Sequence, residues 1–148
     1  MALQSQVNLY RAVGVQGGKA TPDQSIYTPI NYVAGEGGVT AGAFCYADAD
    51  TEGVAVAAGT TVLGFVERVI SASLYDVTAN GSLVYPEGTG LTIAVKGDYY
   101  VAAPETVAVG DTVYADADTG AVAATGNDTG FVYKTAGDAD ELVIISNW

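Results

Sequence analysis

Histidine is absent from this chain of 148 residues, and cysteine occurs once, as Cys45. The first absence removes Ser-His-Asp and Cys-His catalysis and most catalytic zinc sites. The second removes an internal disulfide. Cys45 lies in Ala43-Phe44-Cys45-Tyr46, an alternating stretch where a small thiol reads as a core residue. A nucleophilic role would need a nearby base. Basic residues are few: Arg11, Lys19, Arg68, Lys96 and Lys134 stand against 17 acids, giving a net charge of −12. They are scattered and form no patch, so neither nucleic acid nor an anionic membrane is an expected partner. Long apolar runs are also missing. Val54 to Val66, broken by Gly59, Thr60, Thr61 and Gly64, falls short of the roughly 20 residues that span a bilayer. The N-terminus lacks the basic start and apolar core of a signal peptide.

What is present favours sheets. Hydrophobic residues make up 49% of the chain, much of it Ala and Val, and 19 Gly and 10 Tyr accompany them. Small and β-branched residues with Tyr suit thin, turn-rich sheets rather than thick helical cores. The length suits one domain, which buries roughly 68–70% of its unfolded surface and needs no staple. Residues 1–25 are polar, Gly-containing and weakly alternating, and read as an extended N-terminal arm. From Ile26 onward, short strands alternate with turn signals. The expected strands are Ile26–Val33, Ala43–Tyr46, Val62–Val69, Ser82–Tyr85, Leu91–Val95, Tyr99–Ala102, Thr112–Ala115, Gly130–Lys134 and Leu142–Ser146. Asn80-Gly81 between alternating segments is a two-residue hairpin signal. Leu63–Tyr75 is the best helical candidate, and its β-branched content argues against it. The expected fold is all-β: a single antiparallel β-sandwich, jelly-roll-like or a small barrel, over residues 26–148.

One segment appears twice. Tyr46-Ala47-Asp48-Ala49-Asp50-Thr51 recurs letter for letter as Tyr114-Ala115-Asp116-Ala117-Asp118-Thr119. Gly64-Phe65-Val66 is answered by Gly130-Phe131-Val132. The offset drifts from 68 to 66 positions, as expected of two copies of one β-unit whose connecting loop changed length. The two units span about 42–68 and 110–135, each reading as strand, tight acidic turn, strand.

The residues that invite a chemical reading are carboxylates and tyrosines. Asp48, Asp50, Asp116 and Asp118 form Asp-x-Asp turns of the kind that hold calcium. A full calcium loop also needs Glu at its twelfth position, where the first copy has Gly59. The competing reading is a solvated turn in which Asp caps the backbone. Glu67, Glu87, Glu105 and Asp98 are the carboxylates a hydrolase would draw on, and they fall in turns and strand ends without convergence. Gly35-Glu36-Gly37-Gly38 and Gly14–Gly18 precede no helix, so neither cradles a phosphate. Asn80-Gly81-Ser82 and Asn127-Asp128-Thr129 fit the glycosylation acceptor pattern and read as ordinary turns. Tyr10, Tyr27, Tyr32, Tyr99, Tyr100 and Trp148 would serve either as sheet-face packing or as a sugar-stacking or protein-binding platform. The residues thus leave open a carbohydrate-binding or adhesin-like β-module, calcium-assisted through the Asp pairs.

Four segments together resemble the structural cement, or capsid decoration, proteins of tailed bacteriophages. Ala12-Val13-Gly14-Val15-Gln16-Gly17-Gly18-Lys19-Ala20 followed by Pro22 is similar to that family's Gly-containing N-terminal segment. Val39-Thr40-Ala41-Gly42-Ala43-Phe44-Cys45-Tyr46 is similar to its v-x-x-G-x-F-v strand, and Gly64-Phe65-Val66-Glu67-Arg68 to its G-x-v-x-R strand. Gly110-Asp111-Thr112-Val113-Tyr114 with Thr119-Gly120 is similar to its late hairpin. The resemblance implies a non-enzymatic all-β protein, without a cofactor, on the outer surface of a virion capsid and made in the host cytoplasm. Its partner would be the major capsid protein, whose neighbouring subunits it would clamp as a homo-oligomer, a dimer or trimer on the lattice. The arm would supply the contacts, through Leu3, Val7, Leu9, Tyr10, Arg11, Val13, Val15 and Lys19.

Overall fold

A computed structural model describes residues 14–22, 24–69, 76–77 and 83–148. Among them the chain is all strand and turn, without a helix. Seven strands form the larger sheet: β1 (Ile26–Tyr27), β2 (Tyr32–Ala34), β4 (Phe44–Ala47), β5 (Val54–Val56), β6 (Val62–Val66), β9 (Gly90–Leu91) and β10 (Ile93–Lys96), in the order β1-β10-β6-β4-β5-β2-β9. A five-stranded sheet contains β11 (Asp98–Ala102), β12 (Thr112–Ala115), β13 (Val122–Ala123), β14 (Asn127–Tyr133) and β15 (Leu142–Ser146), in the order β11-β15-β14-β12-β13. A small third sheet orders β3 (Val39–Thr40), β8 (Leu83–Tyr85) and β7 (Asp76–Val77) as β3-β8-β7. Among the described residues pairing is antiparallel except between β2 and β5.

The two larger sheets share a wiring pattern. In each, the first strand of the set lies beside the last, then come the fourth, the second and the third: β1-β10-β6-β4-β5 and β11-β15-β14-β12-β13. The repeated hexapeptide occupies one place in both, at the end of β4 and of β12. Tyr46 pairs with Val56 and Ala47 with Ala55; Tyr114 pairs with Ala123 and Ala115 with Val122. A bulge follows in each sheet, and its length differs. Phe44 and Tyr46 oppose Phe65 and Val62, three residues apart, whereas Thr112 and Tyr114 oppose Val132 and Asp128, four apart. One extra residue turns a strand's side chains to the other face. Phe65 therefore shares a face with Phe44, whereas Phe131 shares one with Val113, and both phenylalanines reach the same core.

That core lies between the two large sheets and contains Phe44, Tyr46, Phe65, Tyr99, Val113, Phe131, Val143 and Ile145. Phe44 stands edge-on to Phe65 and to Phe131, with ring centroids 5.3 and 5.4 Å apart, the arrangement ring quadrupoles favour. A second core, with Val39, Cys45, Val66, Tyr85 and Ile93, fills the space between the seven-stranded sheet and the small one. β4 is thus covered on both faces, and Phe44, Cys45 and Tyr46 are fully buried. Several hydrogen bonds tie the halves together at this point, two of them short. Phe44 N–H donates to the Gly120 carbonyl at 2.8 Å, and the Tyr46 hydroxyl donates to the Asp116 carbonyl at 2.8 Å. Gly120 has φ +71°, and a Cβ there would collide with the Phe44 carbonyl oxygen.

Several expected elements differ in detail. The single strand expected over Ile26–Val33 is two, β1 and β2, separated by Thr28-Pro29-Ile30-Asn31; Pro29 has no N–H to donate to a ladder. The strand expected to reach Val69 ends at Val66. Asn80-Gly81, and with it the expected hairpin turn, lies outside the described residues, although the flanking β7 and β8 pair antiparallel. The described part of residues 1–25 lies along the domain. Gly17 N–H donates to the Tyr100 carbonyl at 2.8 Å, Tyr100 N–H to Gly18 at 3.0 Å and Ala20 N–H to Asp98 at 2.9 Å, so the segment extends the β11 edge.

Identical hexapeptides in unequal surroundings give a direct test. Tyr46→Phe is expected to lower unfolding free energy by about 1–2 kcal/mol, the value of a buried hydrogen bond. Tyr114→Phe, at a half-buried position, is expected to stay within about 0.5 kcal/mol of the parent. Urea unfolding of both variants measures the difference, and equal effects would show that the halves do not meet at Tyr46.

Candidate functional site

The second acidic turn is held by its own carboxylate. Asp116 Oδ1 accepts from the backbone N–H of Asp118 and of Thr119, each at 2.9 Å, and from the Thr119 hydroxyl at 3.0 Å. These donors favour the ionised form and hold the Asp116 carboxyl below the usual carboxylate range. Asp118 is exposed beside it. Asp48 and Asp50 sit at a shallow depression lined by Tyr32, Ala47, Thr51 and Val54. Among the described residues no group of three or more His, Cys, Asp or Glu side chains is placed to hold a metal ion. Asp48, Asp50, Asp116 and Asp118 thus form two separate pairs, one on each unit.

The other singled-out residues are spread over the molecule. Burial pushes the Cys45 thiol up to about 12, and the thiol donates a long hydrogen bond to the Gly64 carbonyl, at 3.8 Å. Glu67 forms a cluster that sequence reading missed. Its Oε2 accepts from the Tyr27 and Tyr99 hydroxyls, each at 2.9 Å, and Tyr99 Oη also lies 2.8 Å from Ser25 Oγ. Burial first, and the Glu67 carboxylate with it, raises the Tyr27 phenol; Tyr99 is raised chiefly by burial. The cluster joins Ser25, β1, β11 and the residue after β6, which are distant in sequence. No local motif announces it. Asp98 accepts from the Thr21 hydroxyl at 2.8 Å, Glu87 lies in an exposed turn and Glu105 in an exposed loop. Glu67, Glu87, Glu105 and Asp98 therefore do not face a common cleft.

The surfaces are uneven. Of the expected contact residues, Leu3, Val7, Leu9, Tyr10, Arg11 and Val13 lie outside the described residues. Val15 is 53% exposed, and Lys19 is exposed where its backbone bridges to Tyr99. Tyr99 is fully buried, Tyr32 and Tyr100 are half-buried, and Tyr27 and Trp148 are exposed. These rings therefore do not share one surface, and Tyr10 lies outside the described residues. Trp148 stacks against the Lys96 ammonium, 5.5 Å from the ring centroid. It borders an apolar groove of about 700 Å3 that also contacts Thr21, Gln24, Lys134 and Ile144. Ile26, Tyr27, Ile30 and Val33 expose further apolar area around β1 and β2.

The tyrosine–glutamate cluster sets an alkaline response. Tyr27 and Tyr99 hold their protons to higher pH in the folded chain than the ordinary value of 10. Their contribution to stability is therefore complete below about pH 10 and is lost as pH rises through the folded values. Glu67→Gln removes the charge that opposes phenolate formation and is expected to move the Tyr27 titration downward, leaving the part due to burial. Phenolate absorbance during a pH titration reports this; an unchanged curve would remove Glu67 from the cluster's electrostatics.

Comparison with known proteins places this geometry. A family model described as "Structural cement protein (E217 gp24/Pam3 gp6)" matches residues 3–147. A chain of the solved structure described as "The capsid of Myoviridae Phage XM1" is similar in fold, with a TM-score of 0.66 at 17% sequence identity. The similarity covers 99% of this chain and 98% of that one. No curated protein matches the chain in sequence.

Proposed function

The chain belongs to the structural cement protein family, and from that premise we propose that it binds the outer surface of an assembled phage capsid and clamps neighbouring major capsid protein subunits. The observation that carries the proposal is the family match over nearly the whole chain. The fold is consistent with a mechanical role. Two five-strand sets of the same wiring are fused through one aromatic core, giving a stiff body. Interior packing at crystal-like density transmits load rather than absorbing it.

Affinity on a lattice would come from multivalency. Each further contact made by an already tethered molecule is effectively intramolecular, so modest individual contacts add up. Assembly as a dimer or trimer would multiply them. The exposed apolar residues Val15, Ile26, Ile30 and Val33 and residues 1–13 are the contacts we assign. The net charge of −12 would direct the protein to a basic surface and keep free copies apart. The protein would act without catalysis or cofactor, after synthesis in the host cytoplasm.

Cosedimentation with empty heads that lack the protein tests the reading. The full chain is expected to bind saturably to assembled shells and to ignore free capsid subunits. A chain beginning at Gly14 keeps the segment that pairs with β11 and is expected to bind at least tenfold more weakly. Failure to bind any assembled shell would sink the proposal. Undiminished binding by the shortened chain would move the contact to the β-domain.

A further inference from the structure

Trp148 is 58% exposed and stands at a groove of about 700 Å3 that is also lined by Thr21, Asp98, Lys134, Ile144 and Ser146. The sheet register explains why these side chains meet. Val143 and Ile145 belong to the core between the sheets, so Ile144 and Ser146 lie on the opposite, outer face of β15. Asp98 pairs with Ser146 across the ladder, an arrangement that sets two side chains about 5 Å apart. Lys134 follows β14, and its N–H donates to the Ile144 carbonyl at 2.8 Å. Trp148 continues the outer face of β15 beyond Ser146, and the Lys96 ammonium 5.5 Å from its ring centroid helps to hold it there.

The polar groups of the groove are only partly used within the chain. Asp98 Oδ2 accepts from the Thr21 hydroxyl at 2.8 Å, which orients the carboxylate and leaves its other oxygen to the groove. Lys134 is exposed. Ser146 is only 2% exposed, and among the described residues its hydroxyl makes no hydrogen bond. Ser25, buried likewise, is bonded to Tyr99. Buried polar groups are paired in about nine cases in ten, so the Ser146 hydroxyl marks a place where a partner belongs.

We propose that this groove binds a hexopyranose ring of a neutral glycan. The groove carries a carboxylate and an ammonium, Asp98 and Lys134. A simple anion would be repelled by the first and a simple cation by the second. A sugar hydroxyl both donates and accepts, so a neutral polyol serves both charges at once, and a further hydroxyl reaches Ser146. The Trp148 ring and the Ile144 side chain supply an apolar platform for the C–H face of a pyranose, whose polarised hydrogens are drawn to the negative face of an aromatic ring. The volume falls within the roughly 300–1,000 Å3 of sites that enclose a small molecule. The site stands apart from the cement reading. Only its display in many copies on one particle, which would multiply a weak single-site affinity, rests on that reading.

Trp148 is the chain's single tryptophan, so intrinsic fluorescence reports on this groove alone. The test titrates the full chain with the methyl glycosides of β-glucose, β-galactose and α-mannose, followed by fluorescence and by nuclear magnetic resonance. Glycerol, a polyol without a ring, and free leucine, a zwitterion with an apolar side chain, are the comparators. At least one glycoside is expected to saturate, with shifts centred on Asp98, Ile144, Ser146 and the Trp148 indole N–H, and to bind at least fivefold tighter than either comparator. Trp148→Ala, at an exposed position, should weaken binding at least tenfold in the resonance titration. Lys134→Met, also exposed, should weaken it at least threefold, with the fold unchanged by the same spectra. Failure of all three glycosides to saturate overturns the assignment, as does an equal response to glycerol or leucine. Normal binding by Trp148→Ala or by Lys134→Met overturns it as well, since the platform or the paired charges would then play no part. No capsid enters these titrations, so their outcome and that of the cosedimentation are read separately.

Discussion

Phe44 is the residue through which both halves of the molecule are joined. Its ring packs edge-on against Phe65 of its own sheet and Phe131 of the other, and its N–H is bonded to Gly120 in the second acidic turn. An edge-to-face pair contributes about 0.5–1.5 kcal/mol beyond burial, and burying three such rings together excludes water from the seam. The turn that meets Phe44 needs a residue of positive φ with no side chain, which Gly120 supplies. The burial of Tyr46 and the closure of the core belong to this junction.

Duplication explains much of the rest. Two sets of five strands share one wiring order, but the molecule is not symmetric. The first set is lengthened by β2 and β9 on the β5 side, and the second is extended at β11 by residues 17–20. The bulge that differs by one residue between β6 and β14 lets opposite faces of equivalent sheets meet. Two identical faces stacked on each other would have left the surplus tyrosines either both buried or both exposed. Instead Tyr46 serves the core and Tyr114 serves the surface.

The same asymmetry distributes burial. The first set is covered on both faces, by the second set and by the small β3-β8-β7 sheet. The second set keeps an outer face, where the half-buried Tyr114 lies.

Read alone, the sequence determined the all-β class, the repeated unit and the want of a histidine-based site. These depend on local periodicity, turn chemistry and composition, which are written in neighbouring residues. The resemblance to cement proteins was legible in the same way, through short Gly-centred motifs. Other features escaped it because they depend on residues far apart in the chain. The short strands β3, β5, β7, β9 and β13 have two or three residues each, too few to show a period, and exist because a neighbour pairs with them. Glu67 meets Tyr27 and Tyr99 across separations of 40 and 32 residues. The unequal fates of Tyr46 and Tyr114 are the clearest case, since the surrounding six letters are the same. Only the tertiary structure decided between them, because the face a strand residue presents is set by the register of the partner strand and not by the residue's own neighbours.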